Sequence, residues 1–269
     1  MAGARPSGRR PATDSDRRSR SRRPRGGRDS KPRSGRNCAA ENGRRVDAVI
    51  IAIDGPAGSG KTTIGRMVAD ALGFALVDTG LFYRAVTVEA RRRGIAPEDV
   101  AALIRMVGSM RIDVSTAPSG EPGPLLSIDG RDVSREAHDP AIAADLSRIA
   151  QLPEIRRLLV EPQRRSARGD AVVLGRDIGT VIFPEADQKF FFTAPAAERV
   201  ARRRRELDRA GGNATSDALM EQEIDARDRA DQERDVAPLR AATDAIIVAT
   251  EGKSVRQVFD EVMARLPKH

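Results

Sequence analysis

The sequence predicts an α/β fold in which a mainly parallel β-sheet is covered by helices on both faces. Short β-branched runs alternate along the chain with segments whose apolar residues recur at helical spacing. This alternation is typical of β-α-β units, which join parallel strands. The 269 residues, 39% of them apolar, allow one large domain or two small ones. No uncharged apolar run reaches the roughly 18 residues of a membrane-spanning helix, so we expect no membrane segment.

The first unit begins with a strand that should be buried on both faces. Val49 to Ile53 form a continuous β-branched run ending at Asp54-Gly55. After a Gly-rich turn, apolar residues at i, i+3, i+4, i+7 and i+8 predict one face of a helix that Gly73 ends. A second strand over 74–80 follows, and then a helix through about residue 93.

Three later runs have the same strand character: 171–175, 189–193 and 245–250. Each is followed by a loop and a helical stretch, the last from Ser254 to Leu266. The strands should therefore lie in the same sheet as the first two.

Two segments interrupt this alternation. Residues 111–133 contain two alternating runs around a Ser/Gly/Pro turn, which predicts an inserted hairpin. Residues 198–235 are rich in Arg and acidic residues, with Gly211-Gly212 in the middle. They are typical of two solvated helices joined by a flexible hinge.

The net charge of +8 comes from one end of the chain. Residues 1–45 contain fifteen basic and four acidic residues, so the remainder is slightly acidic. We expect a disordered basic tail over 1–46, because its Arg, Ser, Pro and Gly residues have little to bury. Three interpretations of the tail remain open: an extension without a role, nonspecific contacts with RNA or anionic surfaces, or an organelle transit peptide. The single cysteine, Cys38, lies in it and excludes a disulfide framework.

The turn after the first strand fits the phosphate-binding pattern G-x-x-x-x-G-K-[ST] without a mismatch. Glycines there let successive N–H groups point at phosphate oxygens, and the following helix adds the positive end of its dipole. Lys61 should bridge the β- and γ-phosphates, and the Thr62 hydroxyl should bind Mg²⁺. The residues predicted to bind ATP or GTP are Gly55, Pro56, Ala57, Gly58, Ser59, Gly60, Lys61, Thr62 and Thr63.

Arginines and acids recur where the predicted strands end. Tyr83-Arg84 follows the second strand and Arg176-Asp177 the third, while Arg227, Asp231 and Arg234 are spaced as on a helix. The carboxyl edge of a parallel sheet is where ligands bind, and Arg suits a phosphate because its guanidinium donates two parallel hydrogen bonds. The set predicts a second, anionic substrate opposite ATP.

The motifs together resemble the bacterial cytidylate kinases. GPAGSGKTT, DTGLFYR, GRDVS, LSRIA, GRDIGTVIFP and RDRADQERDVAPL follow one another in that family's order, and the similarity runs from about Val49 to Leu266. The resemblance implies a three-layer P-loop nucleoside triphosphatase fold over 47–269. It also implies an inserted monophosphate-binding segment at about 84–165 and a short Arg-rich lid at about 198–235.

The resemblance implies transfer of the ATP γ-phosphate to CMP or dCMP in a cytoplasmic, pyrimidine-metabolising enzyme that we expect to be a monomer. It assigns catalytic roles to Lys61, Arg176 and Arg227. The residues that it places on the substrate are Thr79, Ser147, Arg156 and Asp177 near the cytosine, Asp231 and Arg234 near the ribose, and Arg84, Arg176 and Arg227 near the phosphate, with Tyr83 beside them. Lid candidates for charge stabilisation are Arg199, Arg202 and Arg203.

Two positions depart from the family pattern. Leu174 stands where the family usually has Asp or Glu before GRD, so Asp54 or Asp177 would have to steady the water shell of Mg²⁺. Ala137-His138 stands where Ile-Arg is common, and we assign His138 no role. Two alternatives stay open: a kinase for UMP, AMP or shikimate, and an RNA-associated protein with a regulatory nucleotide site. With no Trp and 3% aromatic residues, the chain is a poor candidate for reading a nucleic-acid sequence.

Overall fold

A computed structural model describes residues 48–115, 125–209 and 216–267. The predictions for the basic tail, for Cys38 and for the hinge at Gly211-Gly212 concern residues outside these ranges. Five parallel strands form the main sheet in the order β2-β6-β1-β7-β8. These strands are β1 (Ile50–Asp54), β2 (Ala75–Asp78), β6 (Ala171–Gly175), β7 (Gln188–Thr193) and β8 (Ile246–Ala249).

Eight α-helices accompany the strands in the described ranges. They are α1 (Lys61–Leu72), α2 (Gly80–Arg92), α3 (Val100–Ser109), α4 (Ala143–Ile149), α5 (Pro153–Ser166), α6 (Ala196–Arg209), α7 (Asp217–Glu233) and α8 (Val255–Ala264). Gly73 ends α1 with a φ of 71°, as predicted. Ser254 caps α8 because its hydroxyl accepts from Gln257 N while the Gln257 side chain accepts from Ser254 N.

The sheet packs apolar residues on both faces, as its uninterrupted β-branched strands predict. One face packs against α1 and α8 through a cluster that includes Ile53, Phe190 and Val258. The opposite face packs against α5 and a single π-helical turn, Ile178–Ile182. That turn is shorter than the helical stretch predicted after the third strand-like run, since the chain needs only a tight crossover before β7.

A second, smaller sheet confirms the predicted hairpin. Strands β3 (Ile112–Ser115), β4 (Leu125–Ile128) and β5 (Arg131–Asp132) are antiparallel, and the turn between β3 and β4 is not described. Val88 on α2 packs in the same apolar cluster as β4, and the other side of α2 packs against α3 and α5. The segment between β2 and β6 thus has its own core.

The Arg-rich segment between β7 and β8 forms the two predicted helices, α6 and α7. Arg199 on α6 and Asp228 on α7 form a buried ion pair with a distance of 2.5 Å between Nη1 and Oδ2. No helix in the described part of the chain is long and apolar enough to cross a membrane.

Leu174 and Gly65 make a close contact between β6 and α1. A Cβ on Gly65 would lie 2.6 Å from Cδ2 of Leu174, closer than atoms pack. Leu174 points to the face that α1 covers and is 2% exposed. The helix therefore approaches this strand closely only because residue 65 lacks a side chain.

We predict that Gly65→Ala destabilises the fold by about 1–2 kcal/mol, because the added methyl overpacks the contact with Leu174. Gly108→Ala in α3 is the matched control: nothing lies within 4 Å of its Cβ position, and alanine should stabilise that helix by about 0.5–1 kcal/mol. Urea unfolding measures both. Leu174→Val removes the Cδ atoms of this contact. In that background, Gly65→Ala should lower the free energy of unfolding by less. Equal effects at positions 65 and 108 would contradict the close packing.

Candidate active site

The loop between β1 and α1 has the backbone shape that its glycines permit. Gly55 has a φ of 144°, and a Cβ there would lie 2.4 Å from the carbonyl oxygen of Phe192. Gly58 has a φ of 74° and packs against Arg199, whose Cβ would be 3.1 Å from an added Cβ. Any other residue at these two positions would be strained and crowded. The local pattern in the sequence thus predicted the loop correctly.

Lys61 begins α1 and turns back over the loop. Its Nζ donates to the carbonyl oxygens of Gly55 and Pro56, both at 2.7 Å. Burial lowers the pKa of Lys61 well below its usual value, and the charge of Arg176 lowers it further. Bound phosphate oxygens would supply the negative charge that these neutral carbonyls lack. Thr62 and Thr63 are exposed in the first turn of the helix.

Asp54, the last residue of β1, connects the loop to the turn that follows β6. Its two carboxylate oxygens accept hydrogen bonds from the N–H groups of Ile178 and Gly179, each at 2.8 Å. Burial raises the pKa of Asp54 to about 6, although these two hydrogen bonds partly offset the effect. Asp54 is one of the two acids that the sequence offered in place of the acid lost at position 174.

Asp177, the other offered acid, is held in an ion pair. Its Oδ2 lies 2.6 Å from Nη2 of Arg156, and both side chains are buried. The Arg156 guanidinium carbon lies 5.2 Å from the centre of the Tyr83 ring, which is buried beneath it. Tyr83 therefore supports Arg156, and burial raises the pKa of its phenol to about 12.

A second group of charges pairs the arginines after β6 and α7 with one carboxylate. Asp231 lies 3.1 Å from Nε of Arg176 and 3.2 Å from Nη1 of Arg234. Three buried side-chain nitrogens in this region have no hydrogen-bond partner in the protein. They are Arg156 Nε, Arg234 Nη2 and Gln163 Nε2. Buried donors of this kind are usually satisfied by a ligand or by water.

Arg84 and Arg227 add positive charge to the same region. Arg227 is exposed, but desolvation by neighbouring protein atoms together with the charge of Arg176 lowers its pKa to about 10. Burial lowers the pKa of Arg84, and the charge of Arg203 lowers it further. Arg84 Nη1 donates to the carbonyl of Ala137 at 2.5 Å. The cations predicted to hold a phosphate are therefore close enough to perturb one another.

Thr79 and Ser147 occupy different surroundings. Thr79 is buried, and its hydroxyl donates to the carbonyl of Leu174 at 2.8 Å, which joins the ends of β2 and β6. Ser147 is exposed on α4. His138 is also exposed, with Nδ1 2.7 Å from the carbonyl oxygen of Ser134.

The lid arginines differ from one another in their partners. Arg199 donates to the carbonyl of Ala57 and pairs with Asp228, while Arg202 donates to Thr250 Oγ1 at 2.9 Å. Both therefore fasten α6 to the phosphate-binding loop and its surroundings. The charge of Arg203 is close enough to Arg84 to lower the pKa of that guanidinium.

Sequence reasoning missed two contributors to the site. Arg164 on α5 donates to the carbonyls of Ile182 and Val181 at 2.7 and 3.0 Å, so it holds the π-helical turn. Ala237 has a φ of 55°, a conformation that alanine rarely adopts. No local pattern in the sequence indicates this conformation, because Pro238 favours extended backbone at the residue before it.

No group of three or more His, Cys, Asp or Glu side chains that could hold a metal ion occurs among the residues that the structure describes. The oxygen groups at the loop include the exposed Thr62 hydroxyl and the Asp54 carboxylate.

Comparison with known proteins places the chain in one family. The sequence model of the cytidylate kinases matches residues 51–268. Cytidylate kinase from Symbiobacterium thermophilum is 41% identical over 216 residues, 80% of this chain and 94% of that protein. Cytidylate kinase from Pelotomaculum thermopropionicum is 42% identical over 217 residues, 80% of this chain and 95% of that protein. A bifunctional pantoate ligase/cytidylate kinase from Synechococcus elongatus is 43% identical over 217 residues, but the match spans only 41% of that longer protein.

The raised pKa of Asp54 predicts a specific dependence of stability on pH. The folded-state pKa of about 6 lies above the ordinary 3.8, so the contribution of Asp54 is complete below about pH 4 and is lost as the pH rises through about 6. Relative to Asp54→Asn, the wild type should lose about 2 kcal/mol of unfolding free energy between about pH 4.5 and about pH 7.5. Urea titrations of both proteins at each pH measure the difference, and a constant difference would show that Asp54 titrates normally.

Proposed function

The chain belongs to the cytidylate kinase family, and on that premise we propose that it transfers the γ-phosphate of ATP to CMP or dCMP, giving ADP and CDP or dCDP. The main support for the proposal is that the parallel strands β1 and β6 end side by side, with Asp54 paired with Gly175. The phosphate-binding loop starts at one strand end and the Arg176-Asp177 pair at the other. Two phosphorylated ligands bound at these ends would meet across the strand edge.

The donor half of the proposal rests on the loop and on Lys61. The backbone N–H groups between Gly55 and Gly60 and the start of α1 are suited to the phosphates of ATP. Lys61 would exchange its contacts with the loop carbonyls for phosphate oxygens, which restores the charged form that burial disfavours. Mg²⁺, when bound, would neutralise phosphate charge and align the β- and γ-phosphates. Thr62 Oγ1 would contact it directly, and Asp54 would hold its water shell.

The acceptor half rests on the arginine–aspartate groups. Arg84, Arg176 and Arg227 would hold the monophosphate, because each is a strong donor and their mutual repulsion falls when a phosphate binds between them. Asp231 and Arg234 would contact the ribose.

The base would lie against the ion pair of Arg156 and Asp177. Arg156 and Asp177 offer a donor and an acceptor to the polar edge of cytosine, and we propose Thr79 and Ser147 as further contacts of the base. The buried Nε of Arg156, which has no protein partner, supports a ligand contact there. We place Tyr83 beneath Arg156 rather than on the substrate, since its ring faces that guanidinium.

Transfer then needs positioning and charge stabilisation more than covalent chemistry. No general base is required, because the acceptor phosphate is anionic at neutral pH. Lys61 and Arg203 would meet the charge that develops on the transferred group, while Arg199 and Arg202 keep the lid helix on the loop. Closure of α6 and α7 would exclude water, which competes as an acceptor.

The substrates also suggest where the protein works. ATP and CMP are cytoplasmic metabolites, so we propose a cytoplasmic enzyme. All proposed site residues come from one chain, which is consistent with activity as a monomer. We propose no specific nucleic-acid partner, and nonspecific anionic contacts of the basic tail remain a separate hypothesis.

The test of this function is a coupled ADP-release assay with Mg²⁺, ATP and a panel of CMP, dCMP, UMP, AMP and shikimate. We expect CMP and dCMP to be phosphorylated with the highest kcat/KM.

Lys61→Ala, once circular dichroism has shown that the variant is folded, should lose at least about 100-fold in kcat, because a buried charge that stabilises the transition state is removed. Preference for AMP or shikimate, or near-normal turnover by Lys61→Ala, would overturn the proposal.

A second prediction separates the two substrate sites. Arg176→Ala should raise KM for CMP or lower kcat by about 10- to 100-fold, because a charge-assisted hydrogen bond is lost. KM for ATP should change by less than about threefold. Arg157→Ala, an exposed arginine on α5, is the matched control and should leave both constants unchanged. Unaltered acceptor kinetics in Arg176→Ala would remove this residue from the site.

A further inference from the structure

The chain folds back on itself directly after α7, next to the acceptor site. Leu239 N donates to the carbonyl of Asp231 at 2.7 Å, and the Leu239 side chain is buried. The backbone between Arg234 and Leu239 therefore reverses within a few residues. Ala237 lies in the middle of this reversal.

Ala237 adopts an unusual backbone conformation. Among the described residues, only Asp129 and Ala237 combine a positive φ with a side chain, and the φ of Ala237 is 55°. Asp tolerates this left-handed region through its short polar side chain, whereas alanine does not favour it. Pro238 follows and restricts the preceding residue further. Such a conformation persists only where the surrounding structure requires it.

In this conformation, the carbonyl oxygen of Ala237 accepts a hydrogen bond from the Arg234 side chain. Arg234 Nε donates to that oxygen at 2.5 Å, and Nη1 pairs with Asp231. The Arg234 side chain is 4% exposed, and its Nη2 has no protein partner. Two of the three guanidinium nitrogens are thus fixed by the fold, and the third is left for a ligand.

We propose that Ala237 is a positioning residue: its left-handed backbone aims a carbonyl at Arg234 and so fixes the orientation in which Arg234 meets the acceptor nucleotide. The inference rests on the proposed function, in which Arg234 contacts the ribose. In an ordinary backbone conformation the carbonyl would turn away, and the flexible arginine would lose one of its two anchors. The Arg234 side chain would then become ordered only when the nucleotide binds, and this entropy cost weakens the affinity for the nucleotide.

The experiment compares two substitutions of similar size with opposite backbone preferences. Ala237→Val introduces a β-branched residue that rarely takes a positive φ, whereas Ala237→Asn introduces one that takes it readily. We expect Ala237→Val to raise KM for CMP at least about tenfold, with KM for ATP within about threefold of wild type. Ala237→Asn should rescue KM for CMP to within about threefold. An Asn variant as impaired as the Val variant would show that side-chain volume, not backbone conformation, matters.

Asp129→Val provides the matched control. Asp129 has the same kind of conformation, with a φ of 51°, but it lies in the turn between β4 and β5. We expect both Asp129→Val and Ala237→Val to lower the melting temperature, but Asp129→Val should leave KM for CMP unchanged. A similar rise of KM for CMP in Asp129→Val would mean that general destabilisation explains the effect, and the proposal would fail.

A spectroscopic measurement decides the proposal independently of the substrate. The Nε–H resonance of Arg234 should be protected from exchange with solvent in the wild type and in Ala237→Asn, and should lose that protection in Ala237→Val. If the wild type fails to phosphorylate CMP, the proposed function falls, but this resonance still tests the contact between Ala237 and Arg234. Protection that survives in Ala237→Val would overturn the positioning role.

Discussion

The two hydrogen bonds that Asp54 accepts hold the two halves of the site in register. β1 and β6 lie side by side, and their last residues lead into the phosphate-binding loop and the Arg176-Asp177 turn. By binding the N–H groups of Ile178 and Gly179, Asp54 fixes the second turn against the strand from which the first one starts. Burial makes this carboxylate costly, as its pKa of about 6 indicates. The fold keeps it because neutral side chains accept fewer hydrogen bonds in this geometry.

The charges of the site are balanced where the base would bind and carry an excess of positive charge where phosphates would bind. Asp177 compensates Arg156, and Asp231 is shared by Arg176 and Arg234. The Lys61 side chain, by contrast, is held by neutral carbonyls, and its pKa is lowered by burial and by Arg176. A cation in this state gains most from an arriving anion, since the phosphate removes both the desolvation penalty and the repulsion.

Local features of the site could be predicted from the sequence, but contacts between distant segments could not. The loop shape follows from Gly55 and Gly58, and the helix from its apolar stripe, because both depend on neighbours in sequence. The pairing of Arg156 with Asp177 joins α5 to the turn after β6, and no local pattern encodes it. The backbone of Ala237 is likewise set by the packing of Leu239 and by Arg234. The residue types alone could therefore identify these arginines as candidates for the site, but they could not show which acids the arginines pair with.

Leu174 shows that contacts between segments far apart in sequence determine the effect of a residue change. An acid at this buried strand end would carry a desolvation cost that only a cation or a metal-bound water could offset. Leucine removes that cost and fills the space beside Gly65, so the pair forms part of the core. Asp54 is a carboxylate beside the loop, and its pKa of about 6 means that it is mostly ionised at neutral pH. Under the proposed function, its charge would take the place of the acid that the resemblance leads us to expect at position 174, one strand away.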